Sequence, residues 1–169
     1  MAGHHLRTKL FFAIVGMALV VVAIAVAVIL LSSRSVAINI PQQIVDKTLF
    51  PIYVPSQLPA GYRIVENSFS NDEGVLVYSM KNDASHTIAL TEQSVPAGFD
   101  FTSFYDKQMT DARKVDGAQF PSVIGSVANG ANSRLLSIQA DTTWIMASTQ
   151  NAPQSDLEFI ARNLRKFDK

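Results

Sequence analysis

The stretch "VLVYSMKNDASHTIALTEQ", Val75 to Gln93, decides the fold. Up to Lys81 it is apolar on both faces, and "NDAS", Asn82 to Ser85, is a run of turn formers. From Thr87 to Gln93 the pattern alternates, with Ile88 and Leu90 on one side against Thr87, Ala89 and Thr91 on the other. Period two on either side of a turn predicts an antiparallel pair of strands.

Working toward the N-terminus, Tyr62, Ile64 and Glu66 share one face of a preceding strand, and "SNDEG", Ser70 to Gly74, reads as the connecting turn. Three antiparallel strands in a row are therefore expected. Before them, "FPIYVPSQLPAG" spaces Pro51, Pro55 and Pro59 closely. Proline fixes its own φ and pushes the residue before it to extended geometry, so Phe50, Val54 and Leu58 are held straight. Phe50, Ile52 and Val54 are expected to face the core from a sheet edge, and Gly61 to take positive φ in a turn after Pro59.

Toward the C-terminus the period changes. In "FDFTSFYDKQM", Phe101, Phe104, Tyr105 and Met109 mark one helical face, read as core packing, with Asp100 as N-cap. Short strands are expected near Arg113–Val115 and Pro121–Ala128, then "RLLSIQA" and "TTWIMAST" as a hairpin joined at Asp141. Leu136 and Ile138 fall on one face of the first, Trp144 and Met146 on one face of the second. Ser155-Asp156-Leu157-Glu158 reads as a capping box, opening a helix with apolar face Leu157, Ile160, Leu164 and Phe167. Its end carries Arg162, Arg165, Lys166 and Lys169, cations that complement the helix dipole. The fold class predicted for residues 49–169 is α+β, a small antiparallel β-sheet of about six strands with two packed helices.

The N-terminal part has a different character. Leu10 to Leu31 holds no charge, proline or amide side chain. As a helix it would run about 33 Å at 1.5 Å per residue, enough for a bilayer core of about 30 Å. Residues 10–31 are therefore read as an N-terminal transmembrane helix, whose partner is membrane lipid. Arg7 and Lys9 precede it and Arg34 follows, so the positive-inside rule places residues 1–9 in the cytoplasm as a tail. Residues 32–48, which show no sustained period and contain Pro41, are read as a linker. The domain beyond is expected outside the cell membrane as an extracytoplasmic α+β domain. The competing reading is a cleaved signal peptide ending near Ser35-Val36-Ala37, but the apolar run exceeds the roughly 7–15 residues of a signal core.

Composition excludes several classes of function. With no cysteine, the chain has no disulfide, thiolate metal site or cysteine nucleophile. Formal net charge is zero and acids outnumber bases beyond Leu49, so the domain lacks the basic footprint of a nucleic-acid binder. His86, the one histidine outside the N-terminal tail, sits at a turn near Asp83, Ser85 and Ser79, which reads as solvated polar surface. Asp72 and Glu73 lack calcium-loop spacing, Asp106 and Asp111 read as surface charges, and no Gly-x-Ser-x-Gly, His-Glu-x-x-His or phosphate loop occurs. No catalytic, cofactor-binding or metal-ligating residue is assigned.

Taken together, "FPIYVPSQLPAGYRI", "VLVYSM", "IALTEQ", "TTWIMAST" and the closing "SDLEFIARNL" resemble the bacterial domain of unknown function 4367. The likeness covers nearly all of Leu49 to Lys169. It implies an outward-facing domain on a single-pass membrane protein, a setting that includes anti-sigma-factor-like and sporulation-associated chains, and it implies no catalytic residues. A sigma factor bound from inside is not expected, since residues 1–9 are too short to hold one. The functional expectation is a membrane-anchored extracytoplasmic binding or sensing module without catalytic activity, acting on an envelope protein or ligand. The alternatives are an envelope lipid carrier or hydrolase, or a passive structural protein of the envelope.

Overall fold

The computed structural model describes residues 37–128, 130 and 132–168. The transmembrane reading of residues 10–31 and the cytoplasmic reading of residues 1–9 lie outside the described residues. Among the described residues, no helix is long and apolar enough to cross a membrane.

The domain is α+β with an antiparallel main sheet. Its strands are β2 (Arg63–Ile64), β3 (Ser70–Asp72), β4 (Val75–Lys81), β5 (Thr87–Ser94), β6 (Met109–Lys114), β7 (Ser122–Val127), β8 (Arg134–Ala140) and β9 (Thr143–Thr149). They are ordered β2-β4-β5-β9-β8-β7-β6, with β3 also paired to β4. A separate two-stranded ribbon pairs β1 (Tyr53–Pro55) with β10 (Leu164–Lys166). Three helices complete the fold: α1 (Gln42–Lys47), α2 (Phe101–Gln108) and α3 (Gln154–Arg162).

The hairpin that opened the sequence reading is present as expected, with Tyr78 opposite Leu90 and Met80 opposite Ile88. The register carries this face across the sheet, Leu90 and Leu136 both pairing Ala147, and Glu92 and Ile138 both pairing Ile145. All of these side chains are fully buried. Leu157, Ile160 and Ala161 of α3, which packs across β7 and β8, are buried in the same core. Each such Leu, Ile or Met contributes about 1.5–3 kcal/mol relative to remaining in water. Gly61 takes φ 76° as expected, while Tyr62 N–H closes the turn on the Pro59 carbonyl at 3.0 Å.

Several expectations are corrected. The sheet has more strands than expected and there are three helices, because three short polar or aperiodic pieces are ordered by their neighbours. In "SNDEG" only Glu73 and Gly74 turn, at φ 50° and 81°, which frees Ser70–Asp72 to pair β4. Residues read as linker belong to the core: Ile38, Ile40, Ile44 and Val45 are buried, the last two on α1. The period was hidden there because residues 37–40 belong to no regular element and the helix begins only after Pro41. Leu49, the expected start of the domain, is 95% exposed.

The capping box is not formed. The N-cap is Pro153, which lies two residues earlier in the chain and has no side-chain cap bond, and Glu158 turns instead to Arg113 and Arg162. Nor does the last helix reach Leu164. At Asn163 the chain leaves α3, and Leu164–Lys166 become the partner strand of β1. Ser56 N–H to the Asn163 carbonyl (2.6 Å) and Phe167 N–H to the Ile52 carbonyl (2.8 Å) fasten the ribbon at both ends. Strand pairing satisfies backbone groups on two segments at once, and it prevails over a further helical turn. With polar anchors to the main sheet on one side, β1 buries Tyr53, Val54 and Pro55 alike and not one face only.

Asp100 does cap α2, accepting from Ser103 N–H at 3.1 Å. The aromatic stripe, however, buries no residue of that helix. It lies on the sheet's second face, where Phe99, Phe101 and Phe104 surround Trp144 at centroid distances of 4.6, 5.6 and 5.0 Å. Ser137 accepts the indole N–H at 2.9 Å.

Candidate functional site

His86 is bound to Asn82. Its ring Nδ1 faces the Asn82 amide at 3.3 Å, and its backbone N–H donates to Asn82 Oδ1 at 2.9 Å. Asp83 is drawn away to Arg63 at 2.6 Å, and the Ser79 N–H donates to the Ser68 hydroxyl. Among the described residues His86 makes its side-chain contact with Asn82, and Asp83 makes its own with Arg63. Asp72, Glu73, Asp106 and Asp111 are exposed, and among the described residues no group of His, Asp or Glu could hold a metal ion.

Two features stand out instead. The first is a groove of about 630 Å³ beside the β2 edge of the sheet, within the size range of ligand sites. Ile38, Leu58, Ile64 and Phe69 give it an apolar floor. Asn39, Arg63, Glu66 and Asn67 supply amides and one charge of each sign at its sides. Phe69 is held by stacking on Tyr78 at 5.0 Å between ring centroids. Tyr62 backs the groove with its hydroxyl buried and unpartnered among the described residues. Burial, with the Asp156 carboxylate near but outside hydrogen-bond geometry, pushes that phenol well above its usual range.

The second feature is Glu92, fully buried on the core face of β5. One oxygen, Oε2, accepts from Tyr53 N–H at 2.9 Å, and Oε1 has no partner among the described residues. Burial pushes this carboxyl up to about 8, only partly opposed by the Tyr53 N–H. The same strand β1 is gripped by three further polar contacts. The Thr143 hydroxyl donates to the Pro51 carbonyl at 2.7 Å, the Tyr78 hydroxyl to the Tyr53 carbonyl at 3.4 Å, and the Tyr53 hydroxyl to Asp141. Burial first, then Asp141, pushes the Tyr53 phenol up to about 12, and burial with the Glu92 charge raises Tyr78. With Glu92, Tyr53 and Tyr78 all at most 1% exposed, the cluster meets no solute. It is a clamp on β1 that holds a proton near neutral pH.

Sequence reasoning assigned no residue to the groove. Its walls come from three separated segments, 37–41, Leu58 and 62–69, and no local pattern joins them. Glu92 was legible in principle, since the alternation that turns Ile88 and Leu90 inward turns Glu92 inward too.

No family model, curated protein or solved structure matches the chain. What the fold and site define is therefore the architecture alone: a small α+β domain with an open amphipathic groove at one sheet edge.

Proposed function

We propose that this chain is a membrane-anchored binding module. Residues 10–31 form the anchor, and the domain, outside the cell membrane, holds an envelope protein or ligand in the groove beside β2. The groove carries this reading. It combines an apolar floor with polar groups of both signs and neutral amides, a lining suited to orienting a ligand and not to transforming one. The pairing of the His86 ring with the Asn82 amide, and not with a carboxylate, favours binding over hydrolysis. The uncharged run from Leu10 to Leu31 supports the placement.

Ala37 is exposed and lines the groove, so Ala37→Trp fills it without entering the core. Affinity capture is performed with the full chain from detergent-solubilised native membranes. The wild-type chain is expected to retain a component that A37W loses while its amide exchange around α2 is unchanged. Identical retained sets would contradict the proposal.

A further inference from the structure

Both walls of the groove are formed by consecutive residues, Ala37 to Asn39 on one and Arg63 to Val65 on the other. In a strand successive side chains point to opposite faces, so where consecutive residues of β2 border one space the main-chain edge between them borders it too. On the β2 wall the register fixes which groups these are. Arg63 lies opposite Lys81 and Ile64 opposite Met80, and Val65 N–H donates to the Ser79 carbonyl at 2.9 Å. Residues along an antiparallel pair alternate between facing the partner strand and facing away. Val65 faces β4, so the N–H and carbonyl of Ile64 face the groove. β2 ends the strand order of the sheet and leaves that edge unclaimed.

The opposite wall has the same property. Among the described residues, Ala37, Ile38, Asn39 and Ile40 make no backbone hydrogen bond, although Ile38 and Ile40 are only 7% and 4% exposed. Backbone groups so near a core are nearly always paired. Two main-chain segments without partners among the described residues thus border one space, and an acyl chain, with neither donors nor acceptors, would satisfy neither.

Resting on the reading of the groove as the binding site, we infer that its occupant is an extended peptide segment of a partner protein, which adds as a strand between Ile64 of β2 and residues 37–40. Its alternate side chains would lie on the floor of Ile38, Leu58 and Phe69, which selects apolar residues. Those between would stand beside Arg63 and Glu66, which selects polar residues of either charge or none.

The test uses the full chain in phosphatidylcholine nanodiscs and amide hydrogen exchange read by mass spectrometry. The probe is an acetylated, amidated peptide of alternating valine and threonine. Saturable binding is expected, with exchange slowed about tenfold or more in the segments holding residues 37–40 and Ile64 and unchanged around α2. N-methylation of alternate peptide amides, in either frame, should weaken binding about tenfold, since each hydrogen bond removed is worth about 1 kcal/mol or more. Ile64→Pro, which removes only the outward N–H of β2, should weaken it similarly. Equal binding of the methylated peptides would overturn strand addition while leaving the groove a binding site. So would labelling of Ile38 or Phe69 by a diazirine-bearing phosphatidylcholine that the peptide does not displace. Protection by neither probe anywhere in the groove would remove the binding reading as well.

Discussion

Replacing Glu92 with glutamine tests the physical reading of the core most sharply. The carboxyl is raised from 4.5 to about 8 by burial, so between those values the folded chain keeps a proton that the unfolded chain has released. A state that binds more protons is favoured at low pH. The contribution is therefore fully present below pH 4.5 and is lost as pH rises through about 8. At about 1.4 kcal/mol per pH unit, the interval integrates to roughly 5 kcal/mol, an amount comparable with the whole stability of many small domains. At the Oε1 position the neutral acid leaves one O–H donor without a partner and the amide two N–H donors, so near pH 5 E92Q should be the less stable by about 1–3 kcal/mol. By pH 8 to 9 the order should reverse, with E92Q the more stable by about 2–3 kcal/mol. Trp144 is the chain's one tryptophan and is packed against the α2 aromatics, so its fluorescence during urea unfolding of the detergent-solubilised full chain reports the domain alone. Parallel stability–pH curves for wild type and E92Q would refute the assignment of a neutral buried acid clamping β1.

Other perturbations follow from the packing. A Cβ on Gly125 would lie 2.7 Å from the Thr110 carbonyl oxygen, so Gly125→Ala must shift edge strand β6 and should cost about 1–3 kcal/mol in the same unfolding assay. Ser137→Ala leaves the Trp144 indole N–H buried without its acceptor, which should cost about 1–3 kcal/mol and shift the emission of the folded state. Burial alone would raise the Glu158 carboxyl, but Gln154, Arg113 and Arg162 together hold it below the usual range. Its contribution is present above pH 4.5 and falls away as pH drops below that, so Glu158→Gln should remove about 0.5–1 kcal/mol at pH 7 and almost nothing at pH 3. Membranes carrying the chain should retain it through alkaline carbonate extraction, and a reporter fused after Lys169 should be active only outside the cell.

Regular segments were legible and irregular ones were not. The β4–β5 pair, the β8–β9 hairpin and the α2 cap each depend on neighbours a few residues apart, and period or spacing shows them directly. The ribbon was invisible because Leu164, Arg165 and Lys166 have a helical pattern and become a strand only when β1, far earlier in the chain, supplies the partner. Similarly, Ile38 and Ile40 look like part of a tether until the core they pack on is assembled. The aromatic helix was given the right element and cap, yet its stripe packs around Trp144 on the face opposite the main core, a choice of side that periodicity does not encode. The groove is the extreme case, since its chemistry lies in main-chain edges and every residue type has those.

Site-specific photo-crosslinking of the full chain in living cells bears most directly on the claim that the groove is where this protein binds. With a benzophenone side chain at position 69 in the groove floor, ultraviolet light should give a discrete adduct that A37W abolishes, and the same group at position 102 on α2 should give none. Equal adducts at both positions, or none at position 69, would contradict the account.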